Sequence, residues 1–465
     1  MVLVPPPVVK IRREEGVNFL SFLPLSTFLE EGDVIEKKLK YLVIAIVAIV
    51  AAAVSLGVYY TAYVPMPVKA KEEILIGYPV HLSGAYAYEG TYILHGVILA
   101  VEDINAKGGV YVREYGKKLP LKLIYEDTAS DVEKTKMIVE KMITVDKVDL
   151  LIPPYGSTFG LATLPITEQY KKFTVGWSAS AEERYTAGYK YAFDICTVNG
   201  LYSGVYFAGN IGFLAHYKEW LPPGAPPPLT VAILAHNAAY GRCAADVMEY
   251  LINRYGVQKV VLKELYDPKT TDFSPLITKI RSIRPDVVIF CGTAAGYLNF
   301  YKQVADMKVK EVKMWFPSNW YPEHIATLGW DRLQYFFDEQ YWIEYKNPRS
   351  QALVKRADER WPGRYHELAW FASGYDAVYL MAQAVEKAGS LDPDALRTVM
   401  LTQTLDSILY GNITFTPQGY PFVPKYEERV PVRQVIGQRL VIVWPPHLKE
   451  GDVVYPPPWD KKYGI

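Results

Sequence analysis

An α/β protein of two lobes, each built on a parallel sheet and preceded together by one membrane-spanning helix, is what the residues of this chain predict. Three features lead there. Strand-like and helix-like hydrophobic patterns alternate along most of the chain. The alternation comes as two series, with the Pro-rich stretch LPPGAPPPL (221–229) between them. An uncharged run, Leu42–Val58, precedes both. Strands alternating with helices imply parallel sheets and right-handed crossovers, and two such series imply two lobes.

Residues 1–40 read as a short N-terminal tail, or as a surplus start with the true one near Val34. They hold Pro5-Pro6-Pro7, mixed charges and no clear period. Residues 41–63 read as a transmembrane signal anchor or a signal peptide. The apolar run, extended through Tyr63, is long enough to cross about 30 Å of hydrocarbon at about 1.5 Å per residue. Lys37, Lys38 and Lys40 stand before it, and Tyr59, Tyr60 and Tyr63 stand where an aromatic belt falls. The lysines favour an inside N-terminus, with everything after about Val64 outside. The apolar core of a cleaved signal peptide is usually about 7–15 residues, which favours the anchor. The expected location is therefore the cell membrane, single-pass, with the remainder extracytoplasmic, or secreted if the segment is cleaved. Residues 64–73, with Pro and Lys, read as a linker.

In the first series, ILIGYPV (74–80) is a buried-strand pattern. Ile93, Val97, Ala100, Val101 and Ile104 mark one face of a helix that Gly108-Gly109 ends. A strand over 119–127, a helix over 131–146, a strand over 149–154, a helix through Tyr170 and a strand over 173–180 follow. In the second series the expected strands are 229–237, 260–267, 286–293, 313–319 and 335–345, with helices over 240–255, 273–284 and 297–307. Residues 412–420 and 439–446 read as late strands, and 445–465 as a Pro-rich tail, polyproline-like or mobile. The lobes are then 74–196 with 343–410, and 197–342 with 411–444.

Composition narrows the function. The 465 residues carry 50 basic and 50 acidic side chains, for a net charge of zero, with no long basic run, which argues against nucleic acid as a partner. Half of the residues are hydrophobic, which excludes a disordered chain. Only Cys196, Cys243 and Cys291 are present, none in metal-ligand spacing, so no zinc site is expected. Cys243 and Cys291 are read as buried thiols rather than a bridge. The sequence lacks a nucleophile elbow, a zinc-protease helix, a phosphate loop and a dinucleotide fingerprint. The seven histidines are scattered and read as surface or core residues. No cofactor is expected. Asn412-Ile413-Thr414 matches a glycosylation sequon.

Polar loops at strand C-termini carry the functional signal, because ligands of open parallel sheets bind outside those ends. Residues 81–90 end in Glu89-Gly90. Pro153-Pro154-Tyr155-Gly156-Ser157-Thr158 and Gly176-Trp177-Ser178-Ala179-Ser180 set hydroxyls beside small residues. Small residues let backbone N–H groups approach a ligand, and a following helix N-terminus favours an anion. Helix capping is the ordinary role of such hydroxyls. Three such loops at consecutive strand ends shift the balance toward a site.

The chain resembles the extracytoplasmic branched-chain amino acid-binding proteins of ABC importers, the type I periplasmic binding proteins. The resemblance rests on IGYPVHLSGAYAYEGTYILHGVILAVEDINAKGGV (76–110), LKLIYEDTASDVEKTKMIVEKMI (121–143), LLIPPYGSTFGLATLPITEQYKKFTVGWSASAEE (150–183), VAILAHNAAYGR (231–242), TTDFSPLITKIRSIRPDVVIFCG (270–292) and WFASGYDAVYLMAQAVEKAG (370–389). It spans about Glu72 to Trp444, and the LSG…LAVEDINAKGG block followed by YED is its most specific part. It implies two α/β lobes joined by hinge crossings, a ligand between them and no catalysis.

By position, the resemblance implies that Tyr155, Ser157 and Thr158 lie in the loop holding a ligand carboxylate. Ser178 and Ser180 lie in the loop offering a carbonyl to the ammonium and a hydroxyl to the carboxylate. Tyr240 matches an aromatic brought down by the second lobe. Thr293 and Asn319 match second-lobe positions that often carry an aromatic and an acid. Asn319 has no charge to pair an ammonium, and Glu89 is the residue placed to supply one. The implied function is capture of an amino acid or related small polar solute by lobe closure, with delivery to a membrane permease and its ATPase. A sensor subunit of a membrane signalling complex and a receptor for amides or urea-like solutes are the alternative readings, and a hydrolase has the least support.

Overall fold

The computed structural model describes residues 25–63, 71–195, 207–317, 320, 322–364 and 366–464. Asn319, Cys196, residues 1–24 and most of the expected linker lie outside these. The chain divides into two units, 1–68 and 69–465, each taken by itself below.

The first unit contains one helix, Leu25–Tyr63. It begins well before the apolar run, inside what reads from sequence as a tail without period. Helix formation is cooperative, so a nucleated apolar helix propagates into flanking residues that tolerate it. Within it, Glu36–Ser55 has a mean hydropathy of 2.1 and is wholly unburied. Its 20 residues at about 1.5 Å each reach about 30 Å. Ser55 returns its hydroxyl to the Ala51 carbonyl at 2.7 Å, so it presents no unpaired donor along an apolar helix.

The second unit is built on two parallel sheets. The first has the strand order Leu121–Asp127, Ile74–Val80, Leu150–Leu151, Thr174–Gly176, Ala192–Asp194. The second has the order Met314–Phe316, Val287–Cys291, Thr230–His236, Lys259–Tyr266. Every pairing in both is parallel. The inner strands are apolar throughout because helices cover both faces: Ile74, Ile76 and Val80 are fully buried, as are Val231 through Ala235. The edge strand Lys259–Tyr266 instead alternates exposed and half-buried residues with the period of two that one covered face produces.

Strands 149–154 and 173–180 prove shorter than their apolar runs, at Leu150–Leu151 and Thr174–Gly176. Pro153 and Pro154 have no N–H to continue a ladder, and the second run turns away into its polar loop. Of 335–345, only Phe337–Glu339 is strand, and the chain then leaves the sheet to bury Trp342, whose Nε1 donates to the Ile408 carbonyl at 2.6 Å.

Two small antiparallel sheets connect the parts. Phe337–Glu339, Val432–Val435 and Leu440–Trp444 form one. Across it Arg433 grips Asp338 with two parallel bonds, Nε to Oδ1 at 2.9 Å and an Nη to Oδ2 at 2.7 Å, both residues being buried. Leu405–Ser407, Gly411–Phe415 and Pro421–Phe422 form the other. It meets the end of the first sheet, where Asp194 N–H donates to the Gly419 carbonyl at 2.7 Å and Phe193 meets Phe415 edge-on. Asn412 is exposed on this hairpin.

Helices Ala87–Ala106 and Ala369–Ala388 pack backbone to backbone on the first sheet. A Cβ on Gly96 would stand 2.0 Å from the Phe371 carbonyl oxygen, and one on Gly374 would stand 1.9 Å from that of Ile93. Only glycine allows that approach from either side. Cys243 and Cys291 are buried thiols.

The C-terminal stretch differs from the expected mobile or polyproline-like tail. It lies on the second sheet's side, where Tyr455 Oη donates to the Pro226 carbonyl at 2.9 Å. It ends in the helical turn Trp459–Tyr463, where Trp459 Nε1 donates to the Val312 carbonyl at 2.7 Å. Its aromatic residues supply the driving force that its proline content conceals: Tyr455 and Trp459 are 5% and 6% exposed.

Candidate functional site

A cavity of ≈ 70 Å³ opens where the C-terminal ends of the two parallel sheets meet. At about 30 Å³ per water, it has room for about two waters as it stands. Its lining includes Glu89, Tyr155, Ser157, Thr158, Ser178 and Ser180 from the loops that follow the first-sheet strands. From the loops after the second sheet it takes Tyr240 and Thr293. Eight of the nine candidate residues therefore share one space, and the ninth, Asn319, lies outside the described residues.

The helix Ser157–Gln169 starts at this cavity. Its N-cap is Gly156, with φ at +91°, and no side chain caps its first turn. The orphan N–H donors of that turn, with the partial positive charge of the helix end, thus lie beside a buried Ser157 and an exposed Thr158. Neither hydroxyl is the cap. Thr293 behaves differently: it is the N-cap of Ala294–Asp306, and its Oγ1 accepts from the Gly296 N–H at 3.1 Å. The ordinary capping role therefore holds for Thr293 and not for Ser157. Ser178 is 6% exposed, and its hydroxyl has no hydrogen-bond partner in the protein. A buried hydroxyl left unpaired costs about 1–3 kcal/mol, which a ligand or water can recover.

Glu89 occupies the first turn of Ala87–Ala106 and is 5% exposed. It is the one formally charged carboxylate on the lining, and no Lys or Arg joins it among the described residues. The loop before it is pinned from beneath by Asp127. That carboxylate accepts from the N–H groups of Leu82 (2.8 Å), Ser83 (3.2 Å) and Ala129 (2.9 Å) and from the Ser83 hydroxyl (2.6 Å). Partial burial works to raise the Asp127 pKa, but these donors outweigh it and bring the carboxyl down to about 2. Ser130 extends the brace, its Oγ donating to the Ser83 carbonyl at 2.7 Å and accepting from the Tyr86 N–H at 3.1 Å. His81, fully buried, joins two strand ends: its Nε2 donates to the Tyr155 carbonyl at 3.0 Å, and its Nδ1 meets the Thr128 hydroxyl. The carbonyl can only accept, which sets the tautomer.

Several lining residues escape the sequence reading. Tyr86 and Trp177 sit inside the loops already singled out. His236 ends the strand Thr230–His236, Tyr297 begins the helix after Thr293, and Trp370 opens Ala369–Ala388. Nothing in local pattern marks these last three, since each reads as core. His236 is 5% exposed, and its Nδ1 has no protein partner. Burial, with a smaller push from Arg242, lowers its pKa to about 4, so the imidazole is neutral at neutral pH. Trp177 and Trp370 lie nearly parallel, with ring centroids 6.2 Å apart.

Two parallel-sheet lobes bordering one polar cavity, lined at strand ends from both, define a two-lobed solute-binding receptor. The family model described as periplasmic binding protein matches residues 73–423. The chain belongs to that family, whose members are receptors and not enzymes. It is 24% identical over 373 residues to a Leu/Ile/Val-binding protein homologue of Brucella abortus, covering 80% of this chain and 93% of that one. Its fold is that of a leucine-binding protein from Thermotoga maritima (TM-score 0.64, 19% identity, 79% of this chain and 97% of that one). The fold also matches an ABC-transporter solute-binding protein of R. palustris in complex with benzoate (TM-score 0.62, 19% identity, 80% and 95%). The protein is thus a solute-binding receptor of the periplasmic binding protein family, with an extracytoplasmic binding domain.

Proposed function

We propose that this receptor captures a small ammonium-bearing organic solute, of amino-acid size, between its two lobes and hands it to a membrane permease with its ATPase. The single observation carrying this reading is the convergence of Glu89, Ser157, Ser178 and Tyr240, drawn from both sheets, on one small cavity. In it, the first turn of Ser157–Gln169 and the Ser178 hydroxyl receive the solute's acceptor end, and Glu89 receives its cationic end. The Glu89 carboxyl group also argues against benzoate-like anions, because the lining holds no Lys or Arg among the described residues to receive them. Hydrogen bonds to charged groups contribute about 1.5–3 kcal/mol each. A few of them with aromatic packing reach about −8 kcal/mol, or micromolar affinity.

In this reading the first lobe comprises 74–196 with 343–423 and the second 197–342 with 424–444, so that 411–423 moves from the second lobe, where the sequence put it, to the first. The hairpin Gly411–Phe422 goes with the first lobe because it meets Ala192–Asp194. The helix Leu25–Tyr63 anchors the receptor in the membrane with its lobes outside. Differential scanning fluorimetry and calorimetry of the full chain against amino acids, their N-methylated forms, amides and urea test the reading. A micromolar solute that raises the Tm, and whose binding Glu89→Gln and Ser178→Ala weaken, supports it. Silence across the whole set sinks it.

A further inference from the structure

The lining has a composition that an aliphatic side chain does not require. Six aromatic residues border the cavity: Tyr86, Tyr155, Trp177, Tyr240, Tyr297 and Trp370. No Leu, Ile, Val or Met accompanies them, and Ala238 is the one aliphatic side chain on the lining among the described residues. An apolar ligand group would be served as well by aliphatic walls. What aromatic rings add is a negative π face, which attracts a cation as it sheds water. Glu89, 5% exposed, places a carboxyl group in the same space. His236, held neutral by burial, adds no positive charge to the lining.

The kind of cation follows from hydrogen-bond accounting. A primary ammonium carries three donors that must each find an acceptor once water is excluded. A methylated ammonium has few donors or none, and its charge is spread over methyl groups that pack on ring faces. Six rings set beside one carboxyl group offer a methylated ammonium contact for its methyl groups as well as for its charge. The lining also holds donors for an acceptor group: the uncapped first turn at Ser157 and the unpartnered, buried hydroxyl of Ser178.

We propose that the cavity selects a compact methylated-ammonium solute bearing a carboxylate or carbonyl at its other end, with trimethylglycine as the simplest example, over aliphatic amino acids. This rests on the reading of the cavity as the solute site and narrows its substrate class.

The test is calorimetry of the full chain in detergent with glycine, N-methylglycine, N,N-dimethylglycine, trimethylglycine and leucine. The glycine series keeps the carboxylate and carbon skeleton constant and varies only the methyl count. Affinity is expected to rise along it, trimethylglycine binding about tenfold or more tighter than either glycine or leucine, in line with a caged cation. Tyr240→Phe, which keeps the ring, is expected to hold trimethylglycine affinity within about twofold, while Tyr240→Leu lowers it about tenfold. Leucine or glycine binding tighter than trimethylglycine overturns the methylated-ammonium assignment and leaves the cavity as the solute site. No binding by any of these, or by the wider amino-acid and amide set, overturns both. Should Tyr240→Leu fail to fold, the methylation series on the unaltered chain decides alone.

Discussion

Gly160 and Ser178 approach so closely that a methyl group on Gly160 would stand 2.3 Å from the Ser178 hydroxyl oxygen. The helix Ser157–Gln169 is thereby seated against the 177–180 loop, and two strand-end loops become one wall of the cavity. A mid-helix glycine costs about 1 kcal/mol relative to alanine, so here packing overrides local propensity.

Gly160→Ala is accordingly expected to lower affinity for any solute that stabilises the wild type by about tenfold or more, even though helix propensity alone favours the substitution. Calorimetry alongside a melting curve checks this. Unchanged affinity would mean that the wall tolerates separation.

Asp127 hydrogen-bonds Leu82, Ser83 and Ala129, none of them on the lining, and so holds the loop from which Tyr86 and Glu89 project. Asp127→Asn removes the charge that strengthens four hydrogen bonds and turns one acceptor into a donor facing N–H groups. Solute affinity is expected to fall about 3- to 30-fold, equivalent to about 0.7–2 kcal/mol, with the cooperative unfolding transition retained. Parallel binding and denaturation measurements separate a loosened loop from a lost fold.

Glu339 is fully buried, and burial raises its carboxyl pKa to about 8 against the N–H donors of Asn210 and Phe207, which pull it down. The unfolded group ionises near 4.5, so between the two values the folded chain keeps a proton that the unfolded chain has released. This contribution to stability is fully present below pH 4.5 and is lost as pH rises through 8. Glu339→Gln cannot titrate. Its Tm is expected to decline less than that of the wild type between pH 6 and pH 9, and equal slopes would contradict the assignment.

Trp459 anchors the C-terminal stretch, with its ring 6.0 Å from that of Phe336 and beneath the Lys462 ammonium at 4.9 Å. Trp459→Ala removes a buried aromatic and its hydrogen bond to Val312, and is expected to cost about 3–5 kcal/mol. Urea denaturation should show a lower midpoint at unchanged slope. A loss below about 1 kcal/mol would mean that the turn is only loosely attached.

Most of the scaffold was legible in the order of residues because its physics is local. A strand buried on both faces must be apolar throughout, so Ile74–Val80 and Thr230–His236 stand out, and helix faces repeat on their own period. In the small antiparallel sheets, Phe337–Glu339, Gly411–Phe415 and Leu440–Trp444 fell on expected strands, while Leu405–Ser407, Pro421–Phe422 and Val432–Val435 did not, since two to four residues are too few to show a period. The candidate loops were visible for a similar reason: hydroxyls beside glycines at parallel strand ends are a short-range pattern.

Whether those hydroxyls cap their own helices was not visible, because a serine reads the same in either role. Thr293 accepts from its own helix while Ser178 finds no partner, and the difference lies in where neighbouring backbone falls. The same holds for His236 and Trp370, which lie far from Glu89 along the chain and share a cavity with it only because two sheets present their C-terminal ends to one space. Residue order alone established the alternation, the two series and the apolar helix, since those follow from how a segment meets water. The identity of the side chains around the solute was decided only by folding, because contacts between distant segments depend on how whole layers pack and not on any local period.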